Sequence, residues 1–223
     1  MAIHLFFNLS QRELSDGEFN DLISKVHHSQ LPHILKFRQR KDAQNTLIGR
    51  LLVSHAFKTI LNRAANFEEM VFTEAKRPVI PESGLNFSIS HSQFLTACAV
   101  AVNGDVGLDV EKITPIDLNI FRPYFEEAEY KSFSTGNDFD LFYSLWTKKE
   151  AILKAYGHGL TVPLIDVYAS GNQGKVHGRT WHLRTLGFPE GYVGHIATEQ
   201  VIDNLIYYPL TLSMLAGRTG DKK

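Results

Sequence analysis

The chain has 223 residues, about one and a half domains at ~150 residues each, so it is one large domain or two small lobes. Hydrophobic residues make up 43% and charged residues 21%, which excludes a disordered or collagen-like chain. Lys+Arg of 23 against Asp+Glu of 24 leaves a net charge of −1, so there is no global basic field for a nucleic-acid partner, although a local phosphate pocket is allowed.

In chain order, IHLFFNL (3–9) reads as a short strand, and Ser15-Asp16-Gly17-Glu18 as a helix start with acidic residues in its first turn. The segment Pro32 to Arg63 is helical by pattern. Phe37, Leu47, Leu51 and Ile60 lie near one face, Lys36, Arg40, Lys41 and Arg50 lie off it, and Gly49 allows a kink. The stretch from residue 70 is turn-rich, with Pro78, Pro81 and Gly84 as punctuation. Strands follow at FSIS (87–90), LTACAVAV (95–102) and VGLDVE (106–111), and Asn103-Gly104 predicts a type I′ hairpin between the last two. Thr114-Pro115 breaks the pattern before helices at EEAEYKSF (126–133) and from Asp138 to Tyr156, the latter closed by Gly157-His158-Gly159 as a glycine cap. IDVYAS, TWHLRTL, YVGHIAT and LIYYPLTL read as strands, and the tail GRTGDKK as frayed. Each half holds a long helix followed by strands, which fits a duplicated α+β architecture with a seam near residues 109 to 115. The single cysteine, Cys98, excludes an intramolecular disulfide and a Cys-rich zinc site, and its apolar strand suits a small core residue. The Met1 end carries no basic region before its short apolar run, and no stretch reaches the ~20 apolar residues of a membrane span. A cytoplasmic protein with no membrane partner is expected.

Four segments have residues suited to chemistry. Asp109 and Glu111 stand at i and i+2 of a strand, so they share a side, with Leu108 and Val110 on the other. Two such carboxylates repel unless a cation or water lies between them; oxygen ligands favour Mg²⁺ or Mn²⁺ over zinc, and a solvated face of an edge strand fits the same pattern. Glu150 and Lys154, i and i+4 on one helix face, read either as a surface ion pair or as a third carboxylate with a phosphate-binding ammonium. Ser88, Ser90 and Ser92 share one side of FSISHS and His91 takes the other. This suits a phosphate or nucleotide contact, or a structural histidine, and lacks the elbow of a serine hydrolase. Arg77 before Pro78 is a basic side chain on a stiff loop, suited to phosphate or to solvent. His27-His28 and the pair His177 and His182 show no familiar metal spacing and read as surface residues.

Taken together and in order, FSISHS, GLDVEK and WTKKEAILKAYGHGL, with KDAQNTLIGRLL (41–52) and KRPVIP (76–81), resemble the Sfp-type 4′-phosphopantetheinyl transferases. The resemblance implies an α+β pseudo-dimer of two similar lobes in one monomeric chain, divided here as 1–110 and 111–223, with coenzyme A between them. It implies an enzyme of the holo-[acyl-carrier-protein] synthase type, moving the phosphopantetheine arm of coenzyme A onto a serine of an apo acyl or peptidyl carrier protein and releasing adenosine 3′,5′-bisphosphate. By the same motif match Asp109, Glu111 and Glu150 hold Mg²⁺, with Mn²⁺ as an alternative. Lys154 contacts the phosphates, Arg77 the 3′-phosphate, and Ser90 and His91 the nucleotide and phosphates. Glu150 is the first candidate for the base and Glu129 the second. The chain departs from the family at Asn45, where an arginine is frequent, and near His33 and Gln30, where lysines occur; Lys36 or Arg40 are the residues placed to compensate. Lys112 to Phe125, with Ile113, Phe121, Arg122 and Tyr124, is the candidate carrier surface, unless Phe121 and Phe125 are core. A metal-dependent nucleotide phosphohydrolase and a non-catalytic coenzyme A-binding protein are the rival readings.

Overall fold

The computed structural model describes residues 1–74, 77–157 and 162–218. Strand β1 (Ala2–Leu9) leads to helix α1 (Asp16–Ile23), whose start is a capping box: the Ser15 hydroxyl accepts from the Glu18 N–H and the Glu18 carboxylate from the Ser15 N–H. Helices α2 (Leu31–Leu35) and α3 (Arg40–Leu61) follow, so the long helical segment is broken at residues 36–39, which leaves Phe37 outside α3. α3 runs unbroken through Gly49. A side chain there would press on Ile89 at 3.2 Å, so the glycine lets α3 settle onto the sheet beneath it. Strands β2 (Val71–Phe72), β3 (Pro78–Val79), β4 (Leu85–Ser92), β5 (Leu95–Val102) and β6 (Val106–Lys112) come next. After a 3₁₀ segment at 118–124 come helices α4 (Glu127–Ser134) and α5 (Phe139–Tyr156). The chain ends in strands β7 (Tyr168–Ser170), β8 (Gln173–Val176), β9 (Arg179–Thr185), β10 (Tyr192–Thr198) and β11 (Asn204–Pro209), and helix α6 (Leu212–Leu215).

Two lobes result, each a sheet covered by one long helix. The first sheet runs β11-β1-β5-β4 under α3 and the second β6-β10-β9-β8-β7 under α5. Alternation along β5 explains how they join. Cys98 and Val100 face the α3 core, whereas Ala97, Ala99 and Ala101 face Leu108, Val110 and Ile196 of the second sheet in a shared core. The Cys98 thiol is buried, and that burial pushes its pKa up; it is the core residue its strand implied.

The expected β5–β6 hairpin does not form. Asn103 and Gly104 do take positive φ, 59° and 127°, as a type I′ turn requires. Both edges of β5 are already taken, by β1 and β4, so β6 passes on to pair with β10. The second sheet therefore begins at Val106, ahead of the boundary drawn at residue 110. The first sheet is completed from the far end of the chain, where β11 lies parallel to β1. Gly157, at φ 80°, caps α5 through its N–H to the Leu153 carbonyl at 3.1 Å. His158 and Gly159 of the expected cap, Lys76 of KRPVIP and the last five residues of the tail lie outside the described residues. Arg218, at the start of that tail, is tied to Asp21 at 2.6 Å.

Candidate active site

The seam between the lobes is made by three serines of β4. β4 is an edge strand and β6 lies alongside it without pairing in its sheet, so the outer N–H groups of β6 need other acceptors. The Ser88, Ser90 and Ser92 hydroxyls accept them, from Leu108 at 3.0 Å, Val110 at 3.3 Å and Lys112 at 3.0 Å. Two of the same hydroxyls donate onward: Ser90 to Asp109 Oδ1 at 2.9 Å and Ser92 to Glu111 Oε2 at 2.6 Å. Asp109 and Glu111 thus share the side their spacing implied, held by the strand that closes the seam.

Helix α5 supplies the facing wall. Its close approach depends on Gly107 of β6, where any side chain would collide with the Ala151 carbonyl and the Ala155 amide. Lys154 reaches Asp109 Oδ1 at 2.7 Å and Ser90 Oγ at 3.1 Å. Asp109, Glu111, Glu150, Lys154, Ser90 and His91 line a single cavity of about 290 Å³, walled on its apolar side by Trp146 and Ile89.

The electrostatics are those of a site short of positive charge. Burial raises Glu111 to about 7, and the nearby Asp109 and Glu150 carboxylates push the same way. Burial likewise raises Glu150, with Asp109 adding to it. Asp109 is 4% exposed, and its Oδ2 has no hydrogen-bond partner among the described residues. The three carboxylates are not drawn together: among the described residues their ligand oxygens do not all fall within 4.8 Å of one another, and Lys154 supplies the positive charge on Asp109. An unsatisfied buried oxygen beside two carboxylates with raised pKa values is a donor set that fits a hard divalent cation. Burial, then Lys154, lowers the His91 pKa, which favours its neutral imidazole.

This charge arrangement sets a pH dependence. Glu111 sits near 7 folded against a reference of 4.5, so between those values the folded state holds a proton the unfolded chain has released. Its contribution to stability therefore falls as pH rises through that window. In chelator-treated protein, Tm measured against pH declines more steeply for wild type than for Glu111→Gln, and Mg²⁺ raises Tm more at pH 8 than at pH 5.5. Equal Mg²⁺ shifts at the two pH values would show that the cation does not compete with this proton.

Two expected residues lie elsewhere. Glu129 is on α4, bound at 2.6 Å to Lys149, whose side chain is fully buried; it is not among the residues lining the cavity. Arg77 lies at the end of α5, with Nη1 3.4 Å from the Lys154 carbonyl and 3.7 Å from Asp105. Its Nε and Nη2 are buried with no partner among the described residues.

A second cavity of about 240 Å³ adjoins the first across Ile89 and His91, with His33, Lys36, Arg50 and Phe72 around it. Arg50 is the residue missed by the sequence reading. Its helical position placed it off the apolar face, yet it is 7% exposed, donating Nε–H to Gln30 Oε1 at 3.0 Å with its guanidinium 6.0 Å from the Phe72 ring. Only the tertiary placement of Gln30 and Phe72 reveals it. Of the residues placed to compensate for lost family cations, Lys36 lines this cavity, whereas Arg40 is held by Asp16 at 3.0 Å and covers Phe19. Asn45 also lines this cavity; its Nδ2 donates to the Gln93 carbonyl at 3.0 Å and its Oδ1 accepts from Thr96 at 3.2 Å, which braces the turn between β4 and β5.

Comparison with known proteins agrees with this division. Residues 12–103 match the family model described as 4′-phosphopantetheinyl transferase, N-terminal, and residues 105–197 match that of the 4′-phosphopantetheinyl transferase superfamily; the two meet at the passage from β5 to β6. The chain is 31% identical to 4′-phosphopantetheinyl transferase gsp of Aneurinibacillus migulanus over 77% of its own length and 73% of the relative's. It is 31% identical to 4′-phosphopantetheinyl transferase Sfp of Bacillus subtilis (strain 168), over 69% and 70% of the two chains. A rat protein, L-aminoadipate-semialdehyde dehydrogenase-phosphopantetheinyl transferase, is 26% identical over 66% of this chain and 53% of its own. The chain belongs to the 4′-phosphopantetheinyl transferase superfamily. Its likeness to the Sfp-type members spans both lobes and the seam that carries the carboxylates.

Proposed function

We propose that this chain transfers 4′-phosphopantetheine from coenzyme A to a serine of an apo acyl or peptidyl carrier protein, as a monomer whose two lobes supply the two walls of one site. One observation carries this reading: Asp109, Glu111, Glu150 and Lys154 converge on a cavity at the seam, beside a second cavity lined by cationic side chains. In the reaction the serine oxygen bonds to the phosphorus bearing the pantetheine arm. The bond from that phosphorus to the bridging oxygen breaks, and adenosine 3′,5′-bisphosphate leaves. The product is the holo carrier, the output of a holo-[acyl-carrier-protein] synthase.

Each residue's part follows from its place. Asp109, Glu111 and Glu150 are the residues to hold Mg²⁺, or Mn²⁺, in this reading. When bound, that ion neutralises pyrophosphate charge and polarises the phosphoryl oxygens. Lys154 lies against Asp109 and can extend its ammonium to the phosphates as charge builds on the leaving group. Ser90 orients Asp109 and Lys154, and His91 stands between the two cavities, where a nucleotide spanning them passes. Lys36 and Arg50 offer charge and Phe72 a ring face to its adenosine end. Arg77 has two nitrogens free of described partners to offer the 3′-phosphate. Glu150, its proton affinity raised by burial, suits the base that takes the serine proton, since a carboxylate of raised pKa is the stronger base. Glu129, engaged by Lys149, has the weaker claim.

On the carrier surface, Phe125 is core and Phe121, partly buried, packs with it against Phe142. Ile120 at 63% and Tyr124 at 45% remain exposed beside Arg122, which pairs with Glu127 at 3.2 Å. They form an apolar patch with an exposed ion pair at its edge that a carrier can cover. The test is to incubate the protein with coenzyme A, Mg²⁺ and several apo carriers and to weigh the carriers by mass spectrometry. Addition of the phosphopantetheine arm is expected, with the carrier KM raised by Ile120→Glu and the coenzyme A KM unchanged. Bisphosphate release without an acceptor would point to a phosphohydrolase, and coenzyme A binding with no product to a binding protein; either would overturn the reading.

A further inference from the structure

We infer that the chain carries a transition-metal site, separate from the carboxylate seam, at His27, His28 and Glu68. Among the described residues this is the group of His, Cys, Asp and Glu whose ligand atoms all lie within 4.8 Å of one another. The site joins two segments distant in sequence. His27 and His28 begin the 3₁₀ turn before α2, and Glu68 sits on the loop after α3. That loop is anchored by Phe67, which is buried, and by two donors on its carbonyl, the Ser29 hydroxyl at 3.3 Å and Gln30 Nε2 at 3.2 Å. Glu68 itself is oriented by its N–H to Asn66 Oδ1 at 3.2 Å.

The hydrogen bonds hold the His27 ring through Nδ1 and leave Nε2 facing Glu68. Without a metal the Ser29 N–H donates to Nδ1 at 3.4 Å. The Ser29 hydroxyl lies 3.0 Å from His27 Nδ1 and 3.3 Å from the Phe67 carbonyl, so once a metal takes Nε2 it can accept from Nδ1–H while giving its own proton to Phe67. With the proton on Nδ1, the lone pair is on Nε2, the atom 3.7 Å from Glu68 Oε1. Neighbouring ligands of a tetrahedral zinc ion stand about 3.4 Å apart, so this pair is already near ligand spacing. The His28 ring lies 4.2 Å from that of His27, centre to centre. Two imidazoles and one carboxylate select Zn²⁺, or Co²⁺ in its place, over Mg²⁺, and water completes the shell. A sequence reading based on familiar motif spacings passes over this site, because its third ligand comes 40 residues later in the chain.

The test uses the full chain with excess Mg²⁺ to occupy the carboxylate site, titrated with Co²⁺ and then with Zn²⁺. One equivalent of Co²⁺ should give the strong visible bands of a four-coordinate ion, and Zn²⁺ should displace it. His27→Gln, His28→Gln and Glu68→Gln should each lose at least about tenfold in affinity, and Ser29→Ala, which keeps all three ligands, about tenfold. Circular dichroism confirms that the variants fold; should His27→Gln not fold, the exposed His28 and Glu68 decide the matter. No visible band, or a titration unchanged by His28→Gln and Glu68→Gln, would overturn the site.

Discussion

Asp109→Asn is expected to lower kcat/KM for transfer by at least about 10²–10³-fold, because a ligand to a charge-neutralising cation contributes several kcal/mol to the transition state. The substitution keeps the size of the side chain and an oxygen to accept from Ser90, so Tm should change little. It removes the charge that Lys154 pairs with and one of the charges that raise Glu111 and Glu150. Two further readouts follow: Mg²⁺ no longer raises Tm, and both glutamates titrate at lower pH. Transfer near the wild-type rate would take Asp109 out of the cation site.

Gly107→Ala is expected to have the largest effect on stability, about 3 kcal/mol or more, equivalent to lowering Tm by roughly 6–12 °C in a chain of this size. The new methyl group would meet backbone atoms of Ala151 and Ala155, which cannot swing aside as a side chain can. Relief requires α5 to move off β6, which carries Glu150 and Lys154 away from Asp109. Activity should therefore fall even in the fraction that remains folded. Gly17→Ala is the control. Nothing lies within 4 Å of its added carbon, and in the first turn of α1 it should be neutral or stabilising by about 0.4–1 kcal/mol. Equal Tm values for the two variants would refute the packing argument.

What could be read ahead of the structure was local. The bounds of β5 and the start of β6 followed from alternation and turn residues, and the shared side of Asp109 and Glu111 from the two-residue period of a strand. The pairing of strands was not local. Asn103 and Gly104 adopt the backbone their types favour, yet the hairpin fails because β1 and β4 already occupy β5. The serines of β4 could be placed on one side, but not their partners on β6, which lie 19 or 20 positions away. Arg50 read as a surface cation because helical periodicity says nothing of Gln30 and Phe72 closing over it. Glu129 is a candidate by motif match alone; the fully buried Lys149 that engages it shows only in three dimensions.

The return of β11 to β1 sets the order in which the molecule can be completed. The two strands are joined from Ala2 to Asn204 through Phe7 to Pro209, so one edge of the first sheet has no partner until residues 204–209 have been synthesised. Until then β1 is an open edge, of the kind that templates association between chains. Such distant pairing also slows folding. The first lobe is thus not a unit that can mature alone while the second is being made; both lobes, and the seam that holds the carboxylates, become available together.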